Sequence, residues 1–137
     1  MKKIGILDPD GKNLNPVNNQ PFSEEYKEFA KKWSKLPAYK GAETIIQEIM
    51  DNQVLIIISS TGSGKSVLIP KFVWHTMDYK GNIVMTLPKQ IIAKSAAEYS
   101  SKTLDVELGK QVGYQYKGSD PKAKSNETKL LLKLDYP

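Results

Sequence analysis

The sequence predicts an α/β fold, a parallel sheet flanked by helices, and three observations carry that expectation. "QVLIIIS" (53–59) is continuously apolar and largely β-branched. It is too short for a free-standing helix and reads as a strand buried on both faces. "NIVMTL" (82–87) is a second such run. Each leads into a stretch of helical character, "KSVLIPKFVWHTM" and "PKQIIAKSAAEYSSKTL", and that order is the order of a βαβ unit with parallel strands.

The other elements follow along the chain. Residues 1–21 are rich in Asp, Asn, Pro and Gly, which favour turns, so an irregular arm is expected. In "PFSEEYKEFAKKWSKLP", Ser23 is placed as an N-cap, with Glu24 and Glu25 in the first turn and Phe22, Tyr26, Phe29 and Trp33 at helical spacing. Pro37 ends that helix. Its aromatic stripe reads as a face packed on a core, with a base-stacking platform as the less common use. "GAETIIQEIMDN" repeats Ala42, Ile45, Ile46 and Ile49 in the same way and gives a second helix. In the helix after the first strand, Pro70 falls near the first turn, where a missing N–H is tolerated. Beyond residue 104 the pattern weakens to a short strand at Val112–Tyr116, a polar loop, and a last strand in "TKLLLKL". The chain thus divides into an arm and helix (1–35) and a sheet-bearing part (36–137).

Composition narrows the function. At 137 residues with 39% hydrophobic content, the chain suits one compact unit with a modest core. No run approaches the roughly 18 apolar residues of a membrane span, and the start has lysines without the apolar core of a signal peptide. A soluble, intracellular protein is expected. There is no cysteine, so disulfides and thiolate metal ligation are excluded. His75 alone builds no zinc site and reads as an ordinary helix residue. Every basic residue is Lys, and the net charge is +5, which permits nucleic-acid contact without demanding it. Without Arg, the chain supplies no guanidinium to a transferring phosphoryl group.

Between the first strand and its helix lies "SSTGSGKS" (59–66). It matches G-x-x-x-x-G-K-[ST] with Ser59 in place of the first Gly. Gly62 and Gly64 allow backbone angles closed to other residues and leave no side chain between the amides and an anion. The N–H groups from Thr61 to Ser66, at a helix N-terminus, suit a β-phosphate. Lys65 would reach the β and γ oxygens and is the candidate catalytic residue, and Ser66 Oγ is a candidate Mg²⁺ ligand. The rival reading is a plain strand-to-helix turn rich in small residues. The strand before it and the helix after it favour a P-loop NTPase, with Ser60, Thr61, Gly62, Ser63, Gly64, Lys65, Ser66 and Val67 around ATP.

With its flanks, "LPAYKGAETIIQEIMDNQVLIIISSTGSGKSVLIPKFV" resembles the opening of the first RecA-like domain of DEAH-box RNA helicases of superfamily two. "TLPKQIIAKSAAEYSS" is similar to their motif Ia and "LGKQVGYQYKGSD" to the segment that follows. "ILDPDGKNLNP" resembles helicases of this group encoded by large DNA viruses, which implies a cytoplasmic, viral-factory or virion location. The resemblance implies ATP and Mg²⁺ at the loop and single-stranded RNA backbone at Pro88, Lys89 and Gln90. The family usually has two arginines in that motif. Here Lys89 keeps a charge and Gln90 only hydrogen bonding, so weaker RNA contact is expected, with a solvated helix N-terminus as the alternative.

Two departures stand out. The family's Asp-Glu-Ala-His motif, whose Asp steadies Mg²⁺ and whose Glu positions the attacking water, does not occur in the sequence. Asp135 after "LLLKL" is a poor substitute, since Lys133 interrupts the run and no Glu follows. The second RecA-like domain, which brings arginines, is also missing from the sequence. The expectation is an incomplete RecA-like sheet that binds ATP, hydrolyses negligibly and unwinds nothing alone, with the remainder of a split helicase as a partner. The rivals are a nucleotide-binding module that regulates a full helicase and another small P-loop NTPase, against which stands the lack of an Arg-rich lid. Three strands with an exposed edge are expected to pair with other chains.

Overall fold

The computed structural model describes residues 2–134. Ten-residue α1 (Glu24–Trp33) starts where the sequence places it. Ser23 is extended, and its Oγ accepts from Tyr26 N at 3.1 Å. Glu24 and Glu25 face the positive helix end, and Lys31 and Lys32 the negative one. Pro37 does more than stop this helix, because it occupies the first turn of the short α2 (Pro37–Lys40). Helices α3 (Ala42–Asp51), α4 (Lys65–Thr76) and α5 (Gln90–Leu104) follow.

Strands β1 (Ile83–Leu87), β2 (Val112–Gln115) and β3 (Leu130–Leu134) form one sheet in the order β1-β3-β2, parallel throughout. The α/β class is as expected. Central β3 is paired on both sides, Leu130 against Ile83 and Val112, and Leu130 and Leu132 are buried. With Val112, Tyr114, Leu87 and the α5 residues Ala93 and Ala97, they make one hydrophobic core.

A second core holds the arm, α1, α3 and the first two turns of α4. Tyr26, Trp33, Ile46, Leu68 and Phe72 meet there, and Phe22 stacks on Tyr26 with ring centroids 3.9 Å apart. The aromatic stripe is therefore a packed face. Ile6 and Leu7 of the arm are buried in the same core. The phenol of Tyr26 donates to the carbonyls of Gly5 and Asp8, and the Ile6 amide donates to Tyr79 Oη at 2.9 Å. Gly5 has φ +57°, and a Cβ there would lie 2.1 Å from Tyr79 Oη. Only glycine fits that approach.

Two expectations are corrected. The run 53–59 is outside the sheet: Val54, Ile56 and Ile58 are 79, 81 and 92% exposed. Its amides and carbonyls find no strand partner among the described residues, and an apolar segment is buried only where another element covers it. Pro70 sits inside α4, as its sixth residue rather than near its start, so the Ser66 carbonyl lacks an i+4 amide partner. Asp135 lies outside the described residues.

Candidate functional site

Helix α4 begins at Lys65, and its N-cap is Gly64 at φ 96°, ψ 14°, a left-handed conformation that favours glycine. A Cβ on Gly64 would approach Leu36 Cδ1 to 2.8 Å, whereas one on Gly62, at φ +81°, would meet nothing within 4 Å. Gly64 is thus fixed by both angle and space. Gly62 is fixed by angle alone and borders open space, as a loop that admits an anion must.

The loop is held from both sides. Ala38 N donates to Ser63 O at 3.0 Å, and Leu36 lies under Gly64, so the "LPAYK" segment is the buttress of the loop. That physical role was not legible in the sequence, where no pattern links residue 36 to residue 64. Inside the loop, Ser59 Oγ and Ser63 Oγ are 2.8 Å apart, and Ser63 is buried. Lys65 Nζ donates to Ser59 O at 2.5 Å. The lysine therefore rests on its own loop, with two further N–H donors on the same ammonium. Ser60, Thr61, Gly62 and Ser66 are exposed, and Val67 is half-buried.

The three residues expected to meet RNA lie at the junction between β1 and α5. Pro88, Lys89 and Gln90 are all exposed. Lys89 is the N-cap of α5 with extended backbone, and no side chain caps the helix's first amides. A groove of about 450 Å³ adjoins the loop, bounded by Lys65 and Ser66 at its end, by Leu55 and Ile57 on one side and by Ile83 and Met85 on the other. No group of three or more His, Asp or Glu residues suited to a metal occurs among the described residues.

His75, in the last turn of α4, lies 3.0 Å from Tyr79 Oη through Nδ1. Burial holds its pKa below the ordinary value of 6.5. On the same helix Lys71 is fully buried and donates to Thr103 Oγ1 of α5. Burial alone pushes its pKa down to about 7.

The described part of the chain fits a class: an α/β protein whose three parallel strands and flanking helices are compatible with an incomplete RecA-like domain. By sequence the chain is related to the ATP-dependent RNA helicases. It is 50% identical over 133 residues, 97% of its length, to a protein named as an ATP-dependent RNA helicase in Acanthamoeba polyphaga mimivirus. It is 35% identical over 98 residues, 71% of its length, to the ATP-dependent RNA helicase HrpA of Borreliella burgdorferi. The chain spans 19% of the first relative and 12% of the second. No family model matches it. None of the helices among the described residues is long and apolar enough to cross a membrane.

Proposed function

We propose that this chain is the ATP-binding part of the first RecA-like domain of a DEAH-type RNA helicase. The observation that supports this best is the convergence at one helix end. Left-handed Gly62 and Gly64, the Lys65 ammonium and the Ser66 hydroxyl surround the N-terminus of α4 with an open side at Gly62. Backbone amides from Ser60 to Val67 would hold the phosphate oxygens, and the α4 dipole adds to their field. Lys65 would place its charge on the β and γ oxygens. Ser66 Oγ would hold Mg²⁺, which when bound supplies charge neutralisation between phosphates.

Pro88, Lys89 and Gln90 would meet the backbone of single-stranded RNA, Lys89 by charge and the α5 amides by hydrogen bonds. With one lysine there, the interaction is weak and salt-sensitive. The chain holds neither an Asp-Glu-Ala-His motif nor an arginine, so the groups that orient water and stabilise the transferring phosphoryl must come from other polypeptide.

The test is calorimetry of the 137-residue chain with magnesium adenosine triphosphate, with phosphate release followed in parallel. Binding is expected, with at least a tenfold loss in Lys65→Ala and phosphate release at the level of buffer. Absence of heat, or Lys65-dependent hydrolysis by the chain alone, overturns the reading.

A further inference from the structure

The chain has one histidine, and it sits in the last turn of α4, linked through Tyr79 to the arm. His75 Nδ1 lies 3.0 Å from Tyr79 Oη, and the same hydroxyl accepts the Ile6 amide at 2.9 Å. A phenol oxygen that accepts from one neighbour satisfies its own hydrogen by donating to another. The imidazole that receives this hydrogen is the neutral one, with Nδ1 bare and the proton on Nε2. Tyr79 is buried and His75 half-buried, so the accepting ring reaches water while the donating hydroxyl does not. The turn that carries Tyr79 is strained. Asp78 and Tyr79 are both left-handed, at φ 52° and 58°, a conformation that side chains oppose and that persists only where neighbours hold it.

We propose that His75, Tyr79 and the Ile6 amide form a pH-sensitive latch, which holds the arm on α4 while the imidazole is neutral and releases it when the imidazole takes a proton. Once protonated, Nδ1 carries a hydrogen and turns from acceptor to donor. Two N–H groups then point at one phenol oxygen, and the phenol's own hydrogen is left buried without its acceptor. The arm is the side that yields. His75 is fixed in a helix, whereas Ile6 and Leu7 are held by packing on Leu68 and Phe72 of α4 and by the bonds from Tyr26 to Gly5 and from Ile6 to Tyr79.

Burial opposes the imidazolium, the exposed Asp78 favours it, and the chain's amino group opposes it. Because the folded pKa lies below the ordinary 6.5, the released state binds the proton more readily. The latch is therefore closed above 6.5 and opens as pH falls through the lower, folded value. The groups around it do not titrate with it. Burial keeps the phenols of Tyr79, Tyr26 and Tyr39 protonated. Lys71, one turn earlier on α4, donates to Thr103 Oγ1 and, at about 7, is charged before His75 is. Residues 4–7 of the arm carry no ionisable side chain, and the Asp8 carboxylate accepts the amides of Lys12 and Asn13.

The experiment is nuclear magnetic resonance of the 137-residue chain. At about pH 7.5 the nitrogen shifts of His75 are expected to report the Nε2–H tautomer. Exchange protection of the Ile6 amide, taken relative to the amide of Leu132 in central β3, is expected to fall about tenfold between about pH 7.5 and about pH 5. His75→Asn keeps an acceptor near the place of Nδ1 and does not titrate, so protection in that variant is expected to stay high at both. Tyr79→Phe removes the hydroxyl, and protection is expected to be low at both. An Nδ1–H tautomer at about pH 7.5, equal protection of Ile6 at both pH values, or a fall that persists in His75→Asn overturns the proposal. If His75→Asn does not fold, the tautomer and the pH dependence of the unaltered chain decide the matter. No nucleotide or RNA enters these measurements, so their outcome is separate from that of the proposed function.

Discussion

The arm at residues 4–8 and the run at residues 54–58 invert each other's appearance. The arm sits in a Pro-, Gly- and Asp-rich stretch that looks like solvent-facing coil, yet Ile6 and Leu7 are buried and two tyrosine hydroxyls bind its backbone. The run is the most apolar stretch of the chain, yet Ile56 and Ile58 stand in solvent. Burial follows from what lies opposite. The arm has α1 and α4 to pack on, while the run has no partner on its outer face among the described residues. Hydropathy measures the gain available from covering a side chain, not whether a cover exists.

The largest expected effect tests this difference directly. Trp33→Ala, in the core that holds the arm, removes a fully buried ring and is expected to cost about 4 kcal/mol of unfolding free energy. Ile56→Ala, a change in the more hydrophobic segment, is expected to cost less than about 0.5 kcal/mol. Denaturant titration of both variants checks the pair. A comparable loss in Ile56→Ala would show that the run is covered in solution.

Lys71 sharpens the comparison from the other side, as a charge-bearing group buried where the run's isoleucines are not. Its pKa is about 7 when folded against an ordinary 10.5. Between those values the unfolded chain binds more protons, so stability rises as pH rises from about 7 to about 10.5 and is flat below. Lys71→Met removes both the slope and the buried charge. At pH 6 it is expected to stabilise the chain by about 3 kcal/mol, with the gain shrinking toward pH 10. Measuring the difference between the two proteins cancels the buried Tyr26 and Tyr79, whose pKa values burial drives upward. A difference independent of pH would mean that Lys71 keeps its charge in the fold.

Much of this was readable from local pattern. Ser23 as a cap, the aromatic face of α1, the strand β1 followed by α5, and the glycine-rich turn into α4 all depend on residues within a few positions of one another. What was not readable depends on distant partners. Leu36 and Ala38 support a loop more than twenty residues later, Tyr79 holds the Ile6 amide, and Lys71 lies on a helix apolar on several sides because it joins two cores. The run 53–59 carries a strand's composition, but a strand is defined by its neighbours, and composition does not supply them. The helix starts at Lys65 as read, and counted from there Pro70 is its sixth residue, one turn further in than expected.

The smallest of these effects probes how tightly the arm is clasped. Gly5→Ala forces a Cβ into Tyr79 Oη and Cζ, at 2.1 and 2.4 Å, and places an L side chain at φ +57°. If the arm were as rigid as the α1 core, the overlap and the angle would together exceed the loss in Trp33→Ala. The arm has few backbone bonds to the rest of the fold, however, and can shift away at the expense of the Ile6–Tyr79 bond, so a loss of about 2 kcal/mol is expected. Tyr79→Phe separates the two contributions. It removes the hydroxyl that the new methyl would strike, so Gly5→Ala should cost less in that background than alone. Denaturant titration of the four proteins checks this, and an unchanged cost in the Phe background would assign the penalty to the backbone angle and the ring carbons rather than to the hydroxyl.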